Sequence, residues 1–274
     1  MKKNIVTIEL VGGLGNQLFG YFAGKYFASL KNSRLLIDLG HVDTGVTAHG
    51  SSIRDLELSK RETIIYSPFS RRLAIIGAGF VQRVTATLAP KMHLFLDKVL
   101  RLHTSRSLGT DHSLGKVKTP VRLRGYFQTD VYIAALEDAG GVVFPLEPAT
   151  PSNWYKEMIF LAEQLEPIMM HIRRGDYLKF SETLGVLDTA YFCRALNRAE
   201  EILEVADKEV WVFSDSIKEV QKVFSGTDIS RFRFINPPAE STAAETMCLM
   251  AHGSANIISN STYSWWGARM NGNK

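Results

Sequence analysis

The chain has 274 residues, of which 45% are hydrophobic and 22% are charged, a composition typical of a folded globular protein. Its net charge of +4 argues against a dedicated nucleic-acid-binding protein but is compatible with an anionic ligand. Its two cysteines, Cys193 and Cys248, do not have the spacing of a disulfide framework or of a metal site. The sequence contains no uninterrupted run of about 18 apolar residues, so no membrane span is predicted. We therefore expect a cytoplasmic protein with one large domain or two medium-sized ones.

The N-terminal residues predict a strand–helix–strand unit. Residues 4–11 form an apolar strand, residues 17–31 place apolar side chains at helical spacing, and residues 34–39 form a second strand. This order predicts a parallel sheet with helices on its faces. Residues 41–119 are less regular, and we predict loops and helices there.

One part of this irregular segment, residues 73–100, is apolar and interspersed with Arg and Lys. Such a pattern occurs in core-facing helices and also in segments that rest on an anionic membrane surface. Peripheral contact with the inner face of the membrane is therefore kept as an alternative. Residues 121–127 then predict a strand and residues 131–139 a helix. A group of prolines indicates an interdomain connection: Pro145, Pro148 and Pro151.

The second half of the chain repeats the alternation of helices and strands. The predicted helices are residues 154–165, 189–206, 217–224 and 243–251. The predicted strands are residues 168–172, 209–213, 231–235 and 256–258. Alternation of this kind predicts a doubly wound parallel sheet in each half. We therefore predict two α/β domains, residues 1–150 and residues 151–274.

A basic motif follows the predicted strand 168–172 and reads His171-Ile172-Arg173-Arg174-Gly175-Asp176-Tyr177. Burying arginine is costly without an anion, and guanidinium groups match phosphate oxygens in bidentate geometry. We interpret the motif as a phosphate site in which Asp176 holds Arg174 while Arg173 faces the ligand. The alternative is an exposed basic turn with an internal salt bridge.

A glycine motif follows the first predicted strand and reads Gly12-Gly13-Leu14-Gly15-Asn16-Gln17-Leu18-Phe19. It could be a dinucleotide fingerprint, with Asp38 as the ribose-binding acid, but Leu18 stands where that fingerprint requires its third glycine. We favour an interpretation in which Asn16 and Gln17 offer their amides to sugar hydroxyls or a phosphate. The structural alternative is a glycine turn capped by Asn16.

Two further polar motifs follow predicted strands. Phe213-Ser214-Asp215-Ser216 places a carboxylate where open α/β sheets bind ligands, although Ser-Asp-Ser is also a common helix cap. The stretch from Ser259 to Ala268 places several hydroxyls and a Trp pair at a strand–helix junction, where helix N–H groups bind phosphates. Its structural alternative is a capped helix with buried aromatic side chains.

The four motifs, in this order and at this spacing, resemble those of the α-1,2-fucosyltransferases, glycosyltransferase family 11. The resemblance spans residues 5–269 and is loose in the middle third of the chain. It implies a GT-B architecture, in which two Rossmann-type α/β domains face each other across a cleft. Residues 1–150 would then form the acceptor side and residues 151–274 the donor side.

The family implies an inverting, metal-independent transfer of L-fucose from GDP-β-L-fucose to a sugar hydroxyl, usually O2 of a galactose. It implies no cofactor, since GDP-fucose is the donor substrate, and a galactose-terminated oligosaccharide or lipid-linked glycan as acceptor. The sequence lacks an Asp-x-Asp motif, which agrees with a transfer in which protein cations stabilise the leaving diphosphate.

By position in the motifs, the resemblance implies that Arg173 holds the donor diphosphate and that Arg173 and Asp176 are the catalytic residues. No base stands out among the candidates Asp38, Asp176 and the pair Asn16-Gln17. The residues expected to bind the donor are Gly15, Asn16, Gln17, His171, Arg173, Arg174, Asp215, Ser261, Thr262 and Ser264.

The sequence departs from the family pattern at Ser216, where a second acidic residue is common, and at residues 252–254. Relatives usually continue past the position of Lys274 with a further strand and helix, so we expect a shortened C-terminal domain. Two alternatives to a transferase stay open. One is an oxidoreductase of the NAD type that uses the glycine turn, and the other is a non-catalytic protein that binds GDP or a glycan.

Overall fold

A computed structural model describes residues 4–43, 53–57, 63–65, 101–141, 144–175, 185–224 and 226–272. The chain divides into two compact units. Unit 1 consists of Met1–Ile53 and Leu58–Val143, and unit 2 consists of Arg54–Glu57 and Phe144–Lys274. Each unit has its own parallel sheet, so the predicted fold class of two α/β domains is confirmed.

Unit 1 is built on a five-stranded sheet. Its strands are β1 (Ile5–Glu9), β2 (Arg34–Asp38), β3 (Thr63–Ile65), β4 (Leu102–Thr104) and β5 (Val121–Arg124), and the described helices are α1 (Leu14–Leu30), α2 (Gly40–Asp43) and α3 (Val131–Asp138). The strand order is β3-β2-β1-β5-β4, and every described pairing is parallel. The strand order therefore reverses direction between β1 and β5, which is where open α/β sheets bind ligands.

Two glycines bring α1 close to the centre of this sheet. A Cβ atom on Gly24 would lie 2.9 Å from Cβ of Ile8, and one on Gly20 would lie 2.9 Å from Cδ2 of Leu10. Because neither glycine has a side chain, the helix can lie directly on β1. This close contact fixes the start of α1 beside the carboxyl end of the strand that precedes it.

The prediction of loops and helices for residues 41–119 is wrong at two places, because β3 and β4 lie in this segment. Each strand has only three residues and lies at an edge of the sheet. Such short strands leave too little periodicity to be recognised in a sequence. Residues 73–100, with the proposed membrane contact, lie outside the described residues. Among the described residues, no helix combines the length and apolar character needed to cross a membrane.

Unit 2 is built on a four-stranded parallel sheet. Its strands are β6 (Ile168–Ile172), β7 (Val210–Ser214), β8 (Phe232–Phe234) and β9 (Ala255–Ile257), in the order β8-β7-β6-β9. The described helices are α4 (Asn153–Leu165), α5 (Thr189–Leu203), α6 (Ile217–Val223), α7 (Ala243–Leu249) and α8 (Thr262–Arg269). The chain runs from β6 outward to β8 and then returns to place β9 on the other side of β6. The strand order of this sheet therefore reverses direction between β6 and β9.

The central strand β6 is buried along its whole length, as its apolar sequence predicts. Its Ile168, Met170 and Ile172 pack in one apolar cluster with Phe192 of α5 and Val212 of β7. The cluster holds β6 in the middle of the sheet, so the residues after Ile172 emerge at the carboxyl edge between two neighbouring strands.

A short piece of the first half of the chain belongs to unit 2. The backbone N–H of Glu57 donates to the carbonyl of Glu147 (2.8 Å), and that of Ala149 donates to the carbonyl of Asp55 (2.8 Å). These bonds flank an antiparallel bridge between Leu56 and Pro148. The units therefore divide between 143 and 144, close to the boundary at residue 150 that was predicted, and residues 54–57 join unit 2 through a long-range pairing that has no local signal.

Candidate functional site

The carboxyl edge of the unit 2 sheet brings three of the sequence motifs together. Arg173 follows β6, Asp215 follows β7 and Ser259 follows β9 by two residues. The parallel register pairs His171 with Phe213 and Ile172 with Ser214, so the next residues of β6 and β7 leave the sheet side by side. The geometry of parallel strands thus collects side chains that are far apart in the sequence.

Asp215 binds the arginine motif through both carboxylate oxygens. Oδ2 accepts from Nε of Arg173 at 3.0 Å, and Oδ1 accepts from the backbone N–H groups of Arg174 (2.9 Å) and Gly175 (3.1 Å). A Cβ atom on Gly175 would lie only 2.6 Å from Oδ2 of Asp215. The glycine is therefore required at this position by the close approach of the carboxylate.

The structure shows which groups Asp215 binds within the protein. Its two oxygens are bound to Arg173 and to the loop after β6, so it holds Arg173 in place. The contact of Asp215 with the nucleotide, which the resemblance implied, stays a prediction. Asp176, the other expected partner of the arginines and a candidate catalytic residue, lies outside the described residues.

Arg174 is a largely buried anchor. It is 7% exposed, and its Nη2 donates to the carbonyl of Leu187 at 2.8 Å. Burial lowers the pKa of its guanidinium, and the charge of Asp188 partly offsets this effect. The two arginines thus differ: Arg174 binds the backbone before α5, and Arg173 is held at the edge by Asp215.

His171 points into the core from β6. Its Nδ1 lies 3.3 Å from Oγ of Ser259, and its ring centre lies 5.4 Å from that of Tyr263. Burial lowers the pKa of the imidazole to about 4, which the charge of Arg173 favours and that of Asp215 opposes. The imidazole is therefore neutral at neutral pH and links β6 to the loop after β9.

The hydroxyl groups near the start of α8 divide into internal and surface groups. Ser264 is fully buried, and its single O–H lies within hydrogen-bond distance of the carbonyls of Ser259 (Oγ to O 3.2 Å) and Ser261 (3.1 Å), which share it. Ser261 is the N-cap of the helix, since its Oγ accepts from the N–H of Tyr263 at 3.3 Å. Ser261 and Thr262 are partly exposed at the positive end of the helix dipole, where an anion is stabilised.

Tyr191, which belongs to none of the sequence motifs, also supports this edge. Its hydroxyl donates to the carbonyl of Ile258 at 2.9 Å, which fixes the first residue after β9. Asn260, the next residue but one, donates from Nδ2 to the carbonyl of Gly185 at 3.2 Å. A tyrosine early in a predicted helix carries no local signal for such a contact, so only the fold reveals it.

The glycine motif of unit 1 adopts a structural turn at the start of α1. Helix α1 begins at Leu14, earlier than predicted, and Gly12 has a φ of +75° that suits glycine. The N-cap is Gly13 with no side-chain cap, so Asn16 is not the cap of the helix. Gly15 is buried within the first turn.

Gln17 and Asn16 differ in their surroundings. Gln17 is fully buried, where Nε2 donates to the carbonyl of Gly12 (3.0 Å) and Oε1 accepts from the N–H of Ile53 (3.0 Å). Its amide is thus engaged with the backbone on both sides. Asn16 is only partly buried, and its Oδ1 accepts from Nε2 of Gln128 at 3.0 Å.

Asp38 is part of a buried ionic cluster at the same edge of unit 1. Its Oδ2 accepts from Nη1 of Arg122 (2.5 Å) and its Oδ1 from the N–H of Gly40 (2.8 Å). Glu9 accepts from Arg122 (3.1 Å) and from Nε of Arg124 (2.6 Å). Asp38 uses both carboxylate oxygens within the protein, which argues against a role as a catalytic base or as a ribose-binding acid.

Burial alone would raise the pKa of Glu9. The neighbouring His41 and the charges of Arg124 and Arg122 outweigh that effect and lower the pKa to about 2. Glu9 is therefore ionised at any ordinary pH, and the cluster joins β1, β2 and β5 at their carboxyl ends. Within the parts of both units that the structure covers, no group of three or more His, Cys, Asp or Glu side chains could hold a metal ion.

Comparison with known proteins gives matches to both the sequence and the fold. Residues 144–274 match the model of glycosyl transferase family 11. An alpha-1,2-colitosyltransferase of Escherichia coli is 29% identical over 275 residues, covering 97% of this chain and 87% of the relative. The O-antigen biosynthesis glycosyltransferase WbnK of Escherichia coli is 28% identical, covering 96% of this chain and 89% of the relative.

Among solved structures, the fucosyltransferase NodZ from Bradyrhizobium matches with a TM-score of 0.52 at 16% identity. The match covers 97% of this chain and 92% of NodZ. A structure of NodZ alpha-1,6-fucosyltransferase soaked with GDP-fucose matches with a TM-score of 0.51 at 14% identity. At this identity the likeness concerns the fold, and it confirms the GT-B-like class that was predicted.

Proposed function

We propose that this chain is a glycosyltransferase of the family 11 type, as its motifs predict, and that it transfers L-fucose from GDP-β-L-fucose to the 2-hydroxyl of a galactosyl acceptor in a cell-surface glycan. The observation that carries the proposal is the Arg173–Asp215 pair at the carboxyl edge of the unit 2 sheet. The pair supplies a guanidinium group whose orientation is fixed by the carboxylate, at the edge where parallel sheets bind their ligands. Ser261 and Thr262 lie at the start of α8, beyond the neighbouring strand β9.

In this proposal, the donor diphosphate is bound by Arg173 and by the start of α8. Arg173 keeps the bond from Nε to Asp215 and donates from Nη1 and Nη2 to phosphate oxygens in bidentate geometry. The partly exposed Ser261 and Thr262, together with the helix N-terminus, provide a second contact for the same anion. Four residues hold these groups in place through contacts within the protein: His171, Arg174, Asp215 and Ser264.

The reaction follows from the placement of this charge. The bond between C1 of fucose and the β-phosphate oxygen breaks, and the sugar passes through an oxocarbenium-like state. Negative charge develops on the β-phosphate, and the guanidinium of Arg173 stabilises it. The proposed reaction uses no cofactor. The acceptor oxygen attacks C1 from the opposite face, which inverts the configuration, and its proton leaves to a base that we do not assign.

On the acceptor side, we propose a galactose-terminated oligosaccharide or a lipid-linked glycan. Asn16, which is partly exposed at the start of α1, is the amide of the glycine motif that we propose as a contact for a sugar hydroxyl or a phosphate. A lipid-linked acceptor would place the enzyme in the cytoplasm at the inner face of the membrane. The basic and apolar residues 73–100 are the sequence feature that supports this location.

A second donor is favoured by one specific relative. The alpha-1,2-colitosyltransferase is 29% identical over nearly the whole chain. Colitose is a fucose without the 3-hydroxyl group, so the diphosphate contacts described above would serve either GDP-sugar. A competition assay that contains GDP-fucose and GDP-colitose at equal concentrations would decide which sugar is transferred.

The test of the proposed function measures GDP release from GDP-fucose, with and without galactose-terminated acceptors, in the presence of EDTA. We expect release that an acceptor stimulates and that Arg173→Ala abolishes. Binding of GDP by calorimetry without any turnover would identify the non-catalytic alternative. Absence of GDP binding, together with quenching of NADH fluorescence on titration, would favour the oxidoreductase and refute the transferase.

A further inference from the structure

The start of α5 contacts both loops that carry the proposed diphosphate contacts of unit 2. The carbonyl of Leu187, directly before the N-cap of the helix, accepts from Nη2 of Arg174 at 2.8 Å. Tyr191, in the first turn of the helix, donates from its hydroxyl to the carbonyl of Ile258 at 2.9 Å. Arg174 lies in the loop after β6, next to Arg173, and Ile258 lies in the loop between β9 and α8. One turn of α5 therefore joins the two loops.

Local contacts fix the first turn of α5. Asp188 is its N-cap, since Oδ1 accepts from the N–H of Tyr191 at 2.7 Å. The ring of Tyr191 meets that of Phe192 edge to face, with ring centres 5.0 Å apart. Leu187 and Tyr191 are partly buried and pack against the apolar cluster around β6. Because the backbone is capped and the ring is packed, the hydroxyl of Tyr191 keeps a fixed position relative to the sheet.

A short loop with several hydrogen bonds connects the Tyr191 contact to the start of α8. Nδ2 of Asn260 donates to the carbonyl of Gly185 at 3.2 Å, which is a second bond to the segment before α5. The N–H of Ser261, the N-cap of α8, donates to the carbonyl of Ser259 at 2.8 Å. The position of the Ile258 carbonyl therefore determines where Ser261 and the first N–H groups of α8 lie.

We propose that Tyr191 is a positioning residue, whose hydroxyl fixes the start of α8 relative to Arg173 at a separation that suits a diphosphate. The inference rests on the proposed function, which places the donor diphosphate on both of these groups. The two phosphates of a diphosphate can contact both groups at once, and such a ligand gains affinity when the separation is already fixed. The single phosphate of GMP gains less. Tyr191 needs no contact with the donor to have this effect.

The variant Tyr191→Phe tests the role of the hydroxyl, because it keeps the packed ring and removes only the hydrogen bond to Ile258. Calorimetry would measure the affinities for GDP and for GMP. We expect the affinity for GDP to fall about 10-fold, the order of effect that one hydrogen bond contributes, and the affinity for GMP to change little. A general loss of folded protein would weaken both nucleotides alike. An unchanged preference for GDP over GMP would overturn the proposal.

Tyr155→Phe is the matched control, since it also removes a tyrosine hydroxyl that donates a hydrogen bond within unit 2. The hydroxyl of Tyr155 donates to Oε2 of Glu147 at 3.3 Å, and neither residue belongs to the loops after β6 and β9. We expect both variants to lower Tm by only a few degrees, and only Tyr191→Phe to lose preference for GDP over GMP. An equal loss of preference in the two variants would show that Tyr191 acts through general stability and would overturn the proposal.

A double variant tests whether Tyr191 acts through the start of α8. Ser261→Ala alters the same helix start that the Tyr191 hydroxyl is proposed to fix. The loss of GDP affinity in Tyr191→Phe combined with Ser261→Ala should therefore be smaller than the product of the two single losses. Single losses that multiply would mean that the two residues act independently, which would overturn the proposal.

These binding measurements need no turnover, so they distinguish this inference from the proposed function. If the wild-type protein transfers no sugar but prefers GDP to GMP, and Tyr191→Phe loses that preference, the proposed activity fails and the positioning role stands. If the wild type transfers fucose and Tyr191→Phe keeps the preference, the positioning role is refuted and the activity stands. A wild-type protein without any preference for GDP over GMP would also refute the positioning role.

Discussion

Arg173 and Asp215 leave neighbouring strands of the unit 2 sheet and are joined by a bond of 3.0 Å between Nε and Oδ2. The same carboxylate accepts from two backbone N–H groups of the loop that carries the arginine. One acidic side chain thus fixes both the backbone and the guanidinium of the arginine motif. The direction in which Arg173 presents its charge depends on this carboxylate.

The variant Asp215→Asn tests that dependence. The amide oxygen of Asn can still accept from the N–H groups of Arg174 and Gly175, but its N–H₂ group would then face Nε of Arg173, donor against donor. We expect a folded protein whose acceptor-stimulated GDP release falls about 10- to 100-fold, because the cation is no longer aligned. An unchanged rate would show that Arg173 is positioned by other groups.

A pair of glycine variants tests the close packing around the same carboxylate. In Gly175→Ala the new Cβ would lie 2.6 Å from Oδ2 of Asp215, whereas in Gly115→Ala it would meet no atom within 4 Å. We therefore expect Gly175→Ala to weaken GDP binding measured by calorimetry, with Gly115→Ala as the matched control at wild-type affinity. Equal affinities for the two variants would mean that the displaced carboxylate is not needed for GDP binding.

Ser264→Ala should affect stability rather than donor binding. Its buried hydroxyl shares one proton between two carbonyls, and removing such a group costs about 1–3 kcal/mol because buried acceptors lose their partner. We expect a lower free energy of unfolding in urea and an unchanged affinity for GDP. Ser261→Ala, which alters the exposed start of α8, should weaken GDP binding as well. Weaker GDP binding in Ser264→Ala without loss of stability would indicate that Ser264 contacts the donor.

His171 predicts a loss of stability in mild acid. Its pKa is about 4 in the folded protein because of burial, against 6.5 ordinarily. Between these values the unfolded chain takes up a proton that the folded protein does not. The free energy of unfolding should therefore fall as the pH falls from 6.5 towards 4, by at most about 1.4 kcal/mol per pH unit from this residue, and it should level off above 6.5.

Urea unfolding at several pH values would measure this contribution. In His171→Asn the slope between pH 6.5 and pH 4 should be smaller than in the wild type, because one proton fewer is taken up on unfolding. His112→Asn replaces an exposed histidine and is the matched control. Identical slopes for the two variants would contradict a neutral, buried His171.

The main elements of the fold were predictable because they depend on local pattern. The apolar run of residues 168–172 and the helical spacing of residues 189–203 are signals that the neighbouring residues alone provide. The short edge strands β3 and β4 escaped prediction because three residues carry almost no periodicity. The carboxyl edge of each sheet was also predictable as the place of ligands, since it follows from parallel pairing.

The partners of individual side chains were much harder to predict. Asp215 was expected at the nucleotide, and its bond to Arg173 was not foreseen; Gln17 was expected at a ligand, and its bond to the backbone at Ile53 was not foreseen. Such choices depend on which strands become neighbours and on how deeply a residue is buried. Once β6 and β7 are known to be adjacent, a carboxylate and a guanidinium at their ends become evident partners.

The pairing of Leu56 with Pro148 has a consequence for exchanging parts between related enzymes. A chimera that takes residues 144–274 from one parent, the span that the family model matches, would separate them from residues 54–57 of the same parent. The segment from the other parent would then have to form the two backbone hydrogen bonds and to supply a side chain that packs where Leu56 is buried. We therefore expect a chimera to fold best when residues 54–57 and residues 144–274 come from the same parent.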